Sequence, residues 1–245
     1  MNTKAVKLVA MDLDGTLTQH KTMLEGANRE ALDRLGRTYR LLMVGAGQCT
    51  RIFRQMEQYP VDIIGNYGLQ YSRYDANEKT LKTVFDRKLP CDWEVVRERI
   101  DALRNSLGYV RYTGDSVEFH ESGCVTFPLL GTKASLDKKL SFDPDRSLRR
   151  KMYAEVVAAF PEYCVFIGGS SSFDLAPSPY DKFHALDSFC RQEGLRHENV
   201  VYIGDDYGLG GNDEAVYRSD FSFLTIDDYR DFPRVAGSLL SAQGD

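Results

Sequence analysis

Two aspartates, Asp12 and Asp14, stand where the first apolar run of the sequence stops, in the string Asp12-Leu13-Asp14-Gly15-Thr16-Leu17-Thr18. Along an extended segment residues two apart project from the same face, so the two carboxylates would point together at the carboxyl end of a strand. Open α/β sheets take their ligands at that end. Two carboxylates held side by side ahead of a glycine turn suit a metal ion and a nucleophile. Asp-Gly pairs also make ordinary surface turns, but the apolar run directly ahead of this one favours chemistry.

A second strand-like run ends in the same style, Val200-Val201-Tyr202-Ile203-Gly204-Asp205-Asp206, and the loop beyond it carries Gly210-Gly211-Asn212-Asp213. Magnesium takes octahedral oxygen ligands, commonly one or two carboxylates with substrate phosphate and water completing the shell. Asp12 and Asp205, at the ends of two strands, could supply those carboxylates. Asn212 would cap a helix beginning near Asp213. Lys182, in Pro179-Tyr180-Asp181-Lys182, is by residue type alone a solvated side chain.

The elements that must position these groups follow from hydrophobic pattern. Leu8–Met11, Leu41–Val44, Val61–Ile64, Val200–Ile203 and Phe221–Ile226 are short apolar runs without strict alternation, the pattern of strands buried on both faces of a parallel sheet. Helical patterns lie between them, including Ile52 with Met56 and the segment Asp181 to Gly194, which the glycine should stop. The middle of the chain reads differently. Strand signals at Val110–Tyr112, Ser116–Phe119, Cys124–Leu130 and Val165–Ile167 alternate with two amphipathic helices, one bearing Trp93, Val96, Ile100 and Leu103 and the other Leu148, Met152 and Val156. The expected fold is α/β: a doubly wound, Rossmann-like parallel-sheet core over residues 1–80 and 180–245, with an α+β cap domain inserted over 81–179.

Composition excludes some classes of function. A net charge of −5 over 245 residues, without a basic run, does not suit nonspecific nucleic-acid binding, and no apolar stretch approaches the roughly 20 residues of a membrane helix. Five cysteines, Cys49, Cys91, Cys124, Cys164 and Cys190, are odd in number and lack paired spacing. With no signal-peptide-like apolar stretch at the start, the expected location is the cytoplasm.

Taken with Lys182, the acidic landmarks resemble the haloacid dehalogenase superfamily of phosphotransferases, in order and over essentially the whole chain. The resemblance implies Asp12 as the nucleophile that forms an aspartyl-phosphate, Asp14 as general acid and base, and Lys182 as the cation that neutralises the phosphoryl oxygens. It implies a magnesium site drawn from Asp12, Asp14, Asp205, Asp206 and Asp213. One landmark departs: the Ser or Thr usual after the second strand is missing from Val44-Gly45-Ala46-Gly47-Gln48, so backbone N–H groups of Ala46, Gly47 and Gln48 are the expected phosphate contacts.

Within the superfamily the chain is most similar to the phosphomannomutase-like branch, which inserts a large α+β cap after the third core strand. Asn66-Tyr67-Gly68-Leu69, Gly168-Gly169-Ser170-Ser171-Ser172-Phe173-Asp174-Leu175 and Gly210-Gly211-Asn212-Asp213 carry that likeness. It implies sugar-phosphate contacts from Ser172 and Asp174, and Asn212 is expected among the substrate-binding residues with them. The branch also holds a second phosphate with cap arginines, and the matching stretches here read His120-Glu121-Ser122-Gly123, Leu130-Gly131-Thr132 and Lys139. Glutamate and threonine do not replace a bidentate arginine. The expected activity is therefore a magnesium-dependent phosphatase of a sugar phosphate or similar small metabolite, with phosphomannomutase as the alternative; a homodimer is compatible with either.

Overall fold

Apolar residues at consecutive positions can be buried on both sides only in the interior of a sheet, and the expected runs become its strands. The computed structural model describes residues 5–20 and 22–241. In chain order the elements begin with β1 (Leu8–Met11), α1 (Gly26–Gly36), β2 (Arg40–Val44), α2 (Cys49–Gln55), β3 (Asp62–Gly65), β4 (Gln70–Asp75) and β5 (Thr80–Asp86). There follow α3 (Trp93–Leu107), β6 (Glu118–Phe119), β7 (Val125–Pro128), α4 (Leu136–Phe142), α5 (Ser147–Ala159), β8 (Tyr163–Phe166) and β9 (Ser172–Pro177). The chain closes with α6 (Lys182–Glu193), β10 (Val200–Gly204), α7 (Glu214–Tyr217), β11 (Ser222–Thr225) and α8 (Phe232–Ser241). These form two compact units, one of Met1–Asp86, Lys182–Tyr207 and Asp213–Asp245, the other of Arg87–Asp181 and Gly208–Asn212.

The first unit is built on a seven-stranded sheet of order β11-β10-β1-β2-β3-β4-β5. Its first five strands are parallel, and β4 and β5 extend it as an antiparallel hairpin. Alternation along β1 shows why both faces are apolar. Val9 and Met11 pack with Leu32 and Leu35 of α1, Ile52 of α2 and Leu239 of α8; Leu8 and Ala10 pack with Leu186 and Phe189 of α6 and Val216 of α7. With helices on both faces, the crossover direction reverses between β1 and its neighbour β10. The carboxyl ends of these two strands, where Asp12 and Asp205 stand, are thus the topological switch point at which such sheets bind ligands.

The second unit is a four-stranded antiparallel sheet of order β6-β7-β9-β8. Val125 and Phe127 pair with Leu175 and Phe173 on one face, and that face packs under Val96, Ile100 and Leu103 of α3 and Met152 and Val156 of α5. Helix α3 starts where Asp92 accepts a hydrogen bond from the Val95 N–H at 3.2 Å, and stops at Gly108 in the left-handed region. Two arginines are buried here. Arg149 pairs with Asp143 at 2.8 Å and donates to the carbonyls of Gly168, Gly169 and Ser172. Arg104 donates to the carbonyls of Tyr109, Ser116 and Leu129.

Several elements differ from the sequence expectation. Val110–Tyr112 forms no strand: Val110 and Tyr112 are exposed, so β propensity there has no surface to pack on. Strand β6 shrinks to two residues. Trp93, grouped by spacing with Val96, Ile100 and Leu103 on an amphipathic helix, is 59% exposed and lies stacked on Phe119 at 5.3 Å between ring centres. Helix α6 runs from Lys182 to Glu193 and stops at Gly194, whose φ is +65°. Among the described residues no helix is long and apolar enough to cross a membrane, and all five cysteines are free.

Candidate active site

The site begins one residue past β1. The Asp12 N–H donates to the Ile203 carbonyl at 3.0 Å, continuing the β1–β10 ladder and setting Asp12 beside the start of the loop that carries Asp205. Asp12, Asp205 and Asp213 each offer a carboxylate oxygen within 4.8 Å of the other two. Gly15 makes this approach possible: its φ is +99°, and a Cβ there would lie 2.3 Å from Asp205 Oδ2. The next residue fixes Asp205 from the same side, Thr16 Oγ1 donating to Oδ1 at 3.0 Å.

Lys182, the first residue of α6, has no exposed surface. Its ammonium lies 2.7 Å from Asp12 Oδ1 and 2.8 Å from Asp213 Oδ1. Asp213 is held further by the Tyr202 hydroxyl at 2.6 Å and the Asp206 N–H at 3.1 Å. The motif Asn66-Tyr67-Gly68 also bears on Lys182. It forms a short 3₁₀ turn in which Gly68 has a φ of +97°, and a Cβ on Gly68 would come 2.8 Å from Ala185 Cβ. The turn therefore lies directly against the helical turn that projects the lysine.

Burial sets the electrostatics. It pushes Asp12 up to about 7, against the pull of Lys182 and with help from Asp213. It pushes Asp205 up to about 8, with Asp12 and Asp213 adding to the rise. Burial opposes the charge on Lys182, yet Asp12 and Asp213 together hold its pKa above the ordinary lysine value. With all three ionised, the carboxylates would carry two more charges than the ammonium balances, so the crowded cluster favours a further cation. An all-oxygen donor set from two neighbouring strand ends and the N-cap of α7 fits magnesium, which is bound through few carboxylates and keeps positions for water and phosphate.

The remaining candidate residues divide by location. Asp14, one of the five acids the resemblance implied as metal ligands, accepts from Gln55 Nε2 at 2.6 Å and stands 3.4 Å from Arg51; the close group of three acids does not include it. Asp206 is buried but is likewise outside that group. Ala46, Gly47 and Gln48 form the turn after β2, where the Asn66 N–H bonds the Gly47 carbonyl at 2.9 Å. In the second unit Ser172 and Asp174 share the sheet face opposite the helices. Ser172 Oγ donates to the Gly168 carbonyl at 3.0 Å, and Asp174 accepts from Thr126 Oγ1 at 3.1 Å. Asn212 belongs to the second unit too, and the N-cap of α7 falls on Asp213, one residue beyond it. At the positions matched to cap arginines, Lys139 donates to the Thr132 carbonyl at 3.0 Å and Glu121 pairs with Lys88 at 2.6 Å.

Sequence reasoning missed Thr16, Arg51, Gln55 and Tyr202. Thr16 lay inside the first motif and Tyr202 inside the second. Arg51 and Gln55 carried only the weaker signal of an i, i+4 polar pair on a short helix.

A buried carboxylate beside a buried lysine at the switch point of a doubly wound sheet defines an enzyme of the haloacid dehalogenase superfamily. Solved structures agree on the fold. IMP-bound, N-terminally truncated IMP-nucleotidase of Plasmodium falciparum superposes with a TM-score of 0.73 at 14% identity, over 97% of this chain and 69% of that one. A structure described as showing a trigonal-bipyramidal intermediate in a phosphoryl-transfer superfamily superposes with a TM-score of 0.61 at 14% identity, over 94% and 91% of the two chains. The family is narrower than the fold: the model of the eukaryotic phosphomannomutase family matches residues 102–227, and the chain belongs to that family. Phosphomannomutase of Saccharomyces cerevisiae is 24% identical over 226 residues, covering 87% of this chain and 86% of that protein. Probable phosphomannomutase of Caenorhabditis elegans is 24% identical over 230 residues, covering 87% of each.

Proposed function

We propose that this protein is a hexose phosphate mutase of the phosphomannomutase type, working through an aspartyl-phosphate on Asp12. Phosphoryl transfer rests on the buried cluster of Asp12, Lys182 and Asp213. The choice of mutase is carried by one observation, the family match over residues 102–227. The phosphatase expected from the sequence has less support, since it rests on Glu121, Thr132 and Lys139 standing at the positions matched to cap arginines.

In the proposed reaction an Asp12 carboxylate oxygen attacks the phosphorus of a sugar phosphate. The phosphorus–oxygen bond to the sugar breaks, and the leaving oxygen takes a proton from the Asp14 carboxyl. In the return step Asp14 takes the proton from an acceptor hydroxyl as that oxygen attacks phosphorus, and Asp12 departs as a carboxylate. The acceptor is a sugar hydroxyl in a mutase and water in a phosphatase. Lys182 neutralises Asp12 and stabilises charge on the phosphoryl oxygens. The carboxylates of Asp12, Asp205 and Asp213 would hold magnesium, which would supply Lewis-acid polarisation of those oxygens. Ser172 and Asp174 are proposed to recognise the sugar phosphate, and the protein is read as cytoplasmic.

The test is incubation with mannose 1-phosphate or glucose 1-phosphate, with and without the matching 1,6-bisphosphate, measuring both the 6-phosphate isomer and inorganic phosphate. Bisphosphate-dependent isomer formation that outruns phosphate release is expected. Phosphate release without isomer, for every substrate, would restore the phosphatase.

A further inference from the structure

The turn after β2 has no hydroxyl where the resemblance leads one to expect Ser or Thr; Gly47 stands in the stretch instead. Backbone conformation does not explain the glycine, because Gly47 is not among the residues with positive φ. An L side chain could adopt its geometry. The space is already filled: a Cβ on Gly47 would lie 2.4 Å from both Nε and Nη2 of Arg51. Arg51, four residues on in α2, folds back over the turn so that its guanidinium lies where a side chain of residue 47 would be.

The hold on that guanidinium is partial. Nη1 donates to Gln55 Oε1 at 3.0 Å, and both Nη atoms stand 3.4 Å from Asp14 Oδ2. Charge-assisted N–H to carboxylate bonds run about 2.7–2.9 Å, so the Asp14 contact is loose. A guanidinium has five N–H donors in a fixed fork that matches phosphate, and this side chain is 46% exposed. Charge balance gives it a task. Lys182 already answers to Asp12 and Asp213, and an incoming phosphomonoester adds about two negative charges at neutral pH.

We propose that Arg51 takes the place of the missing hydroxyl, binding an oxygen of the phosphoryl group that Asp12 receives, and that residue 47 is glycine so that the guanidinium can lie there. This rests on the phosphoryl-transfer reading above. It adds a phosphate-binding residue that neither the motif spacing nor the acidic cluster reveals. It also accounts for the departure from the superfamily pattern as an exchange of partners between positions 47 and 51.

The experiment is calorimetric titration of inorganic phosphate into the full chain in magnesium buffer, for wild type, Arg51→Ala, Arg51→Lys, Gly47→Ser and Gly47→Ser/Arg51→Ala. Loss of one charge-assisted contact should weaken phosphate binding by about ten- to a hundredfold in Arg51→Ala, with Arg51→Lys intermediate. Gly47→Ser should also weaken it, because the new Cβ displaces the guanidinium. The double variant should bind more tightly than Arg51→Ala, since its hydroxyl then has the space to itself. Unchanged affinity in Arg51→Ala, with wild type binding phosphate, would sink the Arg51 proposal alone. A double variant no better than Arg51→Ala would overturn the shared place of residues 47 and 51. Wild-type protein that binds no phosphate would sink the phosphoryl-transfer reading and this proposal together.

Discussion

Replacing Lys182 with Met keeps most of the stem volume and removes the charge from a site with no solvent access. The ammonium makes two charge-assisted bonds, at 2.7 and 2.8 Å, each contributing roughly 1.5–3 kcal/mol. Removing one member of a buried ion pair, which strands the other, costs about 3–5 kcal/mol. Both routes converge on a loss of about 3–5 kcal/mol, a large share of the roughly 5–15 kcal/mol that separates folded from unfolded chains. With a urea slope of about 1–3 kcal/mol/M, the midpoint for the first unit should fall by about 1–5 M. The assay is urea unfolding of Lys182→Met beside wild type in excess chelator, so that no cation replaces the ammonium. Added magnesium should then recover more stability in the variant than in wild type, because Asp12 and Asp213 are left without their lysine. A midpoint within about 0.3 M of wild type would refute the reasoning, since a buried lysine that bridges two carboxylates cannot be removed without consequence.

Gly15→Ala should weaken magnesium binding measured by calorimetry, because the added Cβ meets Asp205 Oδ2 at 2.3 Å and the residue must hold a φ of +99°, a strain of about 1–3 kcal/mol; wild-type affinity would remove Asp205 from the metal site. Arg149→Met should destabilise the second unit by about 3–5 kcal/mol in urea, since it strands Asp143 and frees three carbonyls next to Ser172; no change in midpoint would mean the network adds nothing. His197 is disfavoured as a cation by burial but raised overall by Asp220 at 2.5 Å and Asp187 at 3.1 Å. Its contribution to stability should thus be complete below the unfolded value of about 6.5 and disappear as pH rises through the folded value. The stability gap between wild type and His197→Gln should narrow over that window, and a gap that widens instead would reverse the assignment.

The parallel strands and their acidic ends were legible because both signals are local. Val200–Gly204 is apolar at every position, and an aspartate directly after such a run has few reasons to be there. The β4–β5 hairpin was not legible. Thr80–Asp86 is half polar and mostly exposed, so its place in the core sheet depends on pairing with β4, which depends in turn on β3. Lys182 could be named by its place in the motif, whereas its complete burial follows from the Gly68 turn lying against α6. Arg104 and Arg149 were invisible for the opposite reason: their residue type predicts exposure, and only the carbonyls gathered around them in three dimensions explain the burial. Arg51 showed itself only through the space it fills over Gly47.

The central claim is that Asp12 carries the phosphoryl group. The most direct measurement is rapid acid quench of the enzyme mixed with ³²P-labelled hexose 1,6-bisphosphate in magnesium, followed by proteolysis and mapping of the labelled peptide, for wild type and for folded Asp12→Asn. Label on the peptide containing Asp12, formed and discharged no more slowly than turnover and absent from Asp12→Asn, is the predicted result. Steady turnover with no label on that peptide, or equal turnover in Asp12→Asn, would contradict it.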